Sequence, residues 1–189
     1  RKRFISFEGG YHGDTFGAMA AGNTSHFHGP FQEFLFKVDL MPYPDTWDGD
    51  REIVPKEEKA LQYFKAHLEK YGNQTASLII EPLVQGSSGM RMCRPEFLQQ
   101  MVALAKSYGI LVIFDEIMTG FGRTGSLFAC QKSKVTPDLI CLSKGLTGGF
   151  LPLSVTVATE NIYEAFLGDT FDKAFAHSHS FTANPLGCA

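Results

Sequence analysis

Two apolar runs separated by a glycine-rich turn constrain this chain more than any other feature. Ile110-Leu111-Val112-Ile113-Phe114 delivers Asp115-Glu116-Ile117, and Leu139-Ile140-Cys141-Leu142 delivers Ser143-Lys144-Gly145. Between them lies Gly120-Phe121-Gly122-Arg123-Thr124-Gly125. Each run has the length and branching of a buried strand, and each releases one ionisable group at its carboxyl end. In open α/β sheets ligands collect just outside those ends. A carboxylate and an amine presented there together suggest a cofactor that needs both.

The flanking sequence continues the alternation. Phe4–Phe7 reads as a strand, followed by a Gly9-Gly10 turn and a helix from near Asp14 to about Ala21. Asn23 to Asp50 mixes Pro, Gly, His and aromatic residues without a period, which predicts a long surface connection. Pro55 suits the first turn of a helix in which Ala60, Leu61, Phe64, Leu68 and Tyr71 share a face, ended by Gly72-Asn73. Ser77-Leu78-Ile79-Ile80-Glu81-Pro82 is a further strand ending in a carboxylate. Pro95 opens a helix that buries Phe97, Leu98, Met101, Val102, Ala105 and Tyr108, closed by Gly109. A strand over Leu153–Thr159 and a helix over Glu160–Leu167 follow, and His177–Thr182 reads as polar loop. Strands alternating with helices predict an α/β fold, a mainly parallel sheet with helices on both faces.

Bulk properties narrow the partners. At 189 residues the chain can bury one sizeable core. A net charge of -3 with no basic run argues against nucleic acid or an anionic membrane as partner. The apolar stretches are too short to span a bilayer. Cys93, Cys130, Cys141 and Cys188 show no paired spacing and read as reduced, mostly buried thiols of a cytoplasmic protein. Both ends read as cut, as though the chain were the middle of a longer one.

The chemistry turns on Lys144 and Asp115. An amine at the end of a buried strand loses hydration, which lowers its pKa and frees it to attack a carbonyl. Taken alone, Lys144 reads equally as a surface lysine past a strand, and Asp115 as a helix cap. Together they match the needs of pyridoxal 5'-phosphate, whose pyridinium nitrogen is held by a carboxylate and whose aldehyde is held by a lysine. Two other patterns compete. Gly120-x-Gly122-x-x-Gly125 with Asp138 downstream matches a dinucleotide fingerprint, but Asp115–Thr119 separate its glycines from the strand. His26-x-His28 and His177-x-His179 have no Cys or carboxylate at metal-ligand spacing, so they read as loop histidines.

The Asp115-Glu116-Ile117, Gly120–Gly125 and Ser143-Lys144-Gly145 motifs, with Tyr11-His12-Gly13 and Glu81-Pro82 in order before them, closely resemble the class III aminotransferases of the PLP fold-type I superfamily. The resemblance implies that residues 1–189 are the central part of the PLP-binding large domain, with flanking amino- and carboxyl-terminal parts absent. It implies that Lys144 bonds the cofactor and later carries a proton, and that Asp115 bonds the ring nitrogen. Tyr11, supported by His12, would cover one ring face and Ile117 the other. Glu81 would lie near the phenolic side, although a Glu before Pro is also a common structural residue. Tyr11 and Asp14 would face the amino substrate, Asp14 having a helix cap as its alternative role. His177–Thr182 resembles a loop that crosses a dimer, which would bring His179 and Ser180 to the neighbour's cofactor phosphate and Ser178 to the substrate side.

Many members of the family carry Gly where Ser178 stands and Thr where Ser180 stands. Gln85-Gly86-Ser87-Ser88-Gly89-Met90-Arg91-Met92 and Leu146-Thr147-Gly148-Gly149 are similar to the diaminopelargonate-forming branch. That branch aminates 7-keto-8-aminopelargonate in biotin biosynthesis, usually from S-adenosylmethionine and in some members from lysine. The alternatives are another class III omega-amino-acid:oxo-acid aminotransferase, and a truncated non-catalytic piece of one. The expected partners are a small-molecule amine and keto acid, and a second copy of the chain in a homodimer.

Overall fold

A computed structural model describes residues 1–22 and 28–189. The main sheet is built from β1 (Arg3–Phe7), β2 (Asp39–Met41), β3 (Thr75–Ile80), β6 (Leu111–Asp115), β7 (Leu139–Leu142) and β8 (Val155–Ala158), in the order β2-β1-β3-β6-β7-β8. The first five run parallel, and β8 pairs antiparallel with β7. A small antiparallel hairpin of β4 (Val84–Gln85) and β5 (Arg91–Met92) stands apart.

Parity along the strands separates two faces. Ile5, Phe7, Leu78, Ile80, Val112 and Phe114 are fully buried against α2 (Ile53–Tyr71) and α3 (Pro95–Ser107), whose Phe64, Leu68, Phe97, Leu98 and Met101 complete the core. Pro95 occupies the first turn of α3, where its missing N–H costs nothing. Gly109 adopts a left-handed φ of 63° just after the helix ends. On the opposite face, α1 (Phe16–Ala21) sets Gly17, Ala18 and Ala21 against Phe4, Ile79 and Ile113 around a groove of about 240 Å³.

Several expectations need correction. The predicted surface connection from Asn23 to Asp50 contains β2, which pairs with β1 through Ile5–Asp39, Ser6–Leu40 and Phe7–Met41. Met41 and Tyr43 are core residues. A strand of three residues in a Pro- and aromatic-rich segment has no readable period, because its stability comes from the neighbouring ladder. Only Cys93 of the four thiols is buried; Cys188 is exposed. The final helix-forming stretch shortens to Glu160–Glu164 (α5). Two further short helices are Ala129–Ser133 (α4) and Pro185–Cys188 (α6). No helix among the described residues is long and apolar enough to cross a membrane.

Candidate active site

Four neighbouring parallel strands bring their carboxyl ends to one edge of the sheet. β1 leads into Gly9-Gly10-Tyr11-His12, β3 into Glu81, β6 ends on Asp115, and β7 leads to Lys144. The chain after β1 turns to β2 on one side and then to β3 on the other, so the order reverses beside Tyr11 and Glu81. Crevices form at such reversals because the connections diverge.

Asp115 is 5 % exposed and held from two sides. His12 Nδ1 lies 2.8 Å from its Oδ2, and the Ile117 N–H donates to Oδ1 at 3.1 Å. The His12 ring is itself buried, and its Nε2 has no hydrogen bond among the described residues. A neutral imidazole protonated on Nδ1 fits this pattern, because it donates to the carboxylate and leaves Nε2 a bare acceptor. His12 thus engages Asp115, whereas sequence had it supporting Tyr11. Beside the carboxylate, the Cys141 thiol is pushed up by burial and then by the Asp115 charge.

Lys144 opens the turn Lys144–Leu146 with a left-handed φ of 46°. Asp115 pairs in register with Cys141, so Lys144 follows that partner along the same strand direction, roughly 10 Å further on. The turn is held by Ser143 Oγ donating to Leu153 O at 2.7 Å and Thr147 Oγ1 donating to Leu151 O at 2.6 Å. Phe121 of the glycine-rich loop packs so closely that a Cβ on Gly145 would come within 2.8 Å of it. Lys144 is exposed, so the dehydration expected at a strand end is not supplied by the described residues of this chain. The physical reason is that β7 leaves the sheet before Lys144, and the turn faces solvent.

Glu81 is buried, with Oε2 accepting the Tyr11 N–H at 3.1 Å and Oε1 accepting the Gly86 N–H at 3.0 Å. Burial raises its carboxyl above the ordinary range, and these two N–H bonds work against that rise. These bonds are those of a clamp on the Tyr11 turn. The β4–β5 hairpin adds to the clamp: Gln85 Nε2 and Arg91 Nη1 donate to Glu8 O, and the Ser88 hydroxyl donates to Gly9 O. Gly9, at φ 78°, has no room for a Cβ against these side chains.

Tyr11 borders an open groove of about 730 Å³ with Asp14, Phe16, Met19, His28, Phe31 and Ser87. Its hydroxyl donates to Asp14 Oδ1 at 3.1 Å. Burial, then this acid, raises the phenol's pKa. Asp14 caps no helix, since Thr15 holds the N-cap position of α1.

Ile117, half-buried, adjoins Asp115 in the chain, with its backbone bonded to the acid. No hydrogen bond among the described residues brings the three loop residues to this edge. Ser178, His179 and Ser180 are exposed, and the bonds of His179 are local, to Phe181 and Thr182.

Sequence reasoning missed Glu116. It is fully buried, and its carboxylate accepts the Ala129 N–H at 2.6 Å and the Cys130 N–H at 2.8 Å, closing the start of α4. Its signal was weak because the capped helix lies in a separate segment of the chain. The dinucleotide reading fails on geometry: the glycines sit in consecutive turns, and Asp138 Oδ2 is taken by the Val112 N–H at 2.8 Å. His26 lies outside the described residues. No group of three or more potential metal ligands gathers among those described.

The family model for class III aminotransferases matches residues 1–189. The adenosylmethionine-8-amino-7-oxononanoate aminotransferase of Synechococcus elongatus is 57% identical over 189 residues, covering 100% of this chain and 44% of that protein. The enzyme of the same name from Geobacter sulfurreducens is 43% identical over 193 residues, covering 100% of this chain and 43% of its own length. The crystal structure of the Methanocaldococcus jannaschii enzyme of that name superposes with a TM-score of 0.87 at 37% identity, over 100% of this chain and 42% of that one. An amine transaminase from an uncultivated Pseudomonas species, solved in its PLP-bound form, gives 0.86 at 30% identity over 96% of this chain and 42% of its own. The chain therefore spans less than half the length of the relatives it matches. With a family model covering every residue and four parallel strand ends carrying its acid and amine, the chain belongs to the class III aminotransferases.

Proposed function

We propose that this chain is the central part of the PLP-binding large domain of an aminotransferase that converts 7-keto-8-aminopelargonate to 7,8-diaminopelargonate in biotin biosynthesis. The observation that carries the reading is the pairing of β6 with β7, which presents Asp115 and Lys144 from adjacent parallel strands at one edge. The donor set fits pyridoxal 5'-phosphate: a buried carboxylate locked in one orientation by His12, and an amine further out along the neighbouring strand. When bound, that cofactor supplies a reactive aldehyde and an electron-withdrawing ring.

The chain's own residues divide the remaining work. Asp115 would hold the ring nitrogen, its negative charge favouring the protonated form while two donors keep the carboxylate from rotating away. Lys144 Nζ would hold the aldehyde, and as the free amine it would take and return the proton at the substrate carbon that bears nitrogen. Tyr11 would cover one ring face, with Glu81 fixing the backbone of its turn, and Ile117 would cover the other. Asp14 and Tyr11 face the amino substrate. Ser178, His179 and Ser180 would serve a second copy, with His179 and Ser180 at its cofactor phosphate and Ser178 at its substrate side. The proposed working form is therefore a homodimer, and its proposed location is the cytoplasm. S-adenosylmethionine is the proposed amino donor, in line with the names of the relatives, and lysine is the competing one.

The test uses the full-length protein. Incubation with pyridoxal 5'-phosphate is expected to give a protein-bound absorbance band that borohydride fixes to Lys144. Lys144→Ala is expected to lose the fixed label and to drop turnover by at least about a thousandfold. A label placed elsewhere, or unchanged turnover in the variant, would sink the reading.

A further inference from the structure

His28 is a buried side chain that the proposed chemistry leaves unused. It is 2 % exposed, and its ring stacks on Tyr11 with centroids 6.0 Å apart at an interplanar angle of 24°. Its Nε2 stands 3.5 Å from Asp14 Oδ1, the same oxygen that accepts the Tyr11 hydroxyl. Neither ring nitrogen makes a hydrogen bond among the described residues. A buried polar atom without a partner is costly unless something compensates for it. The ring is packed closely enough that a Cβ on Gly22 would lie 3.1 Å from its Cε1, which limits its movement.

Asp14 is the opposite case. Its side chain is 77 % exposed, and it sits at the mouth of the groove shared by Tyr11, His28, Phe31 and Ser87. A carboxylate so exposed keeps its rotational freedom unless neighbours hold it. The 3.5 Å separation exceeds a good N–H···O distance by only a few tenths of an ångström. Such contacts are commonly long before substrate enters and tighten when it does.

We propose that His28 is a positioning residue for the amino substrate: it supports the Tyr11 ring from beneath and draws Asp14 Oδ1 inward, so that the second oxygen, Oδ2, faces an incoming ammonium group. The role requires the Nε2–H form of the imidazole, which donates to Asp14, while Nδ1 stays within the packed interior. The ligand class follows from the groove, which offers one carboxylate among Phe16, Met19 and Phe31: an alkyl amine with its cationic end at Asp14. This inference rests on the reading of Tyr11 and Asp14 as substrate-facing.

The experiment uses the full-length protein with His28→Phe, which keeps a stacking ring and loses the nitrogens, and His28→Gln, which keeps a donor. Three quantities are read: cofactor affinity from absorbance, kcat and KM for the amine donor, and the dissociation constant of a tertiary alkyl amine that cannot condense with the aldehyde. His28→Phe is expected to raise KM and the tertiary-amine dissociation constant by about five- to tenfold, with kcat and cofactor affinity unchanged. His28→Gln is expected to recover part of that loss. Combined with Asp14→Asn, His28→Phe is expected to add nothing further, since the two side chains act as one unit. The inference is overturned if His28→Phe binds amines like the parent while Asp14→Asn binds them poorly, or if the two effects add. If His28→Phe does not fold, His28→Leu replaces it, and either parental amine affinity in that variant or a loss additive with Asp14→Asn overturns the inference. Failure of the Lys144 labelling test would bring down the functional reading separately.

Discussion

At the scale of single residues, the site is a set of acids with different tasks. Asp115 divides its oxygens between the His12 ring and the Ile117 N–H, Glu116 spends both on a helix start, and Glu81 spends both on the turns beside it. Asp115→Asn should leave the fold intact, because the amide oxygen still accepts the Ile117 N–H and the NH2 can donate to His12 Nδ1 once that imidazole carries its proton on Nε2. Cofactor affinity should fall by at least about tenfold in an absorbance titration, since the amide cannot keep a ring nitrogen protonated. Glu81 makes a separate forecast in pH. Its carboxyl is raised in the folded chain, which therefore binds a proton more tightly than the unfolded chain. Ionising Glu81 weighs against folding as pH climbs out of the ordinary carboxyl range, and that cost is absent below it. Glu81→Gln should remove this downward slope in urea-unfolding free energy above about pH 4. It should also cost about 1–2 kcal/mol through one lost N–H acceptor. An unchanged slope would mean that Glu81 is not the titrating group.

At the scale of elements, helices and central strands were legible because their signals are local. Pro95 and Gly109 bracket α3, Gly72 ends α2, and the run Leu139–Leu142 is β7 residue for residue. β2 was illegible because three residues carry no period, and its pairing partner lies far back in the chain. The antiparallel sense of β8 was equally hidden, since direction depends on the path of the connection. Site residues were legible as motifs, yet their partners were not: neither His12 bonding Asp115 nor Glu116 capping α4 follows from spacing. The same holds for Glu57 of α2, which is buried and accepts Arg94 N at 2.9 Å and Arg94 Nη2 at 2.6 Å, tying α2 to the start of α3. Gly72 shows how tightly these elements meet, since an added Cβ would lie 2.3 Å from Tyr108 Cδ1. Gly72→Ala should therefore destabilise by about 1–3 kcal/mol in chemical denaturation, against the usual gain for removing a glycine from a helix end.

For the whole molecule, the two faces of the sheet are unequal. The α2–α3 face is dry and closed, whereas Leu111 and Phe4 on the other are 42% and 39% exposed. Adjacent positions on β6 make the test. Leu111→Lys should change unfolding free energy by less than about 1 kcal/mol, while Val112→Lys, at a fully buried position, should cost more than about 4 kcal/mol or prevent folding. Equal effects would contradict the assignment of the core face.

The shared ladder between β6 and β7 has a mechanical meaning. Phe114 pairs with Ile140 and Asp115 with Cys141, and the Glu116 N–H still donates to Cys141 O at 3.0 Å beyond the last pair. The gap between the acid and the root of the lysine turn is therefore set like a ruler, and widening it means tearing interior backbone bonds. With the Tyr11 turn clamped by Glu81, Gln85 and Ser88, breathing at this edge must be borne by the chain beyond Lys144. Amide exchange should accordingly be slowest at Phe114 and Asp115 and fast along Gly148–Leu151.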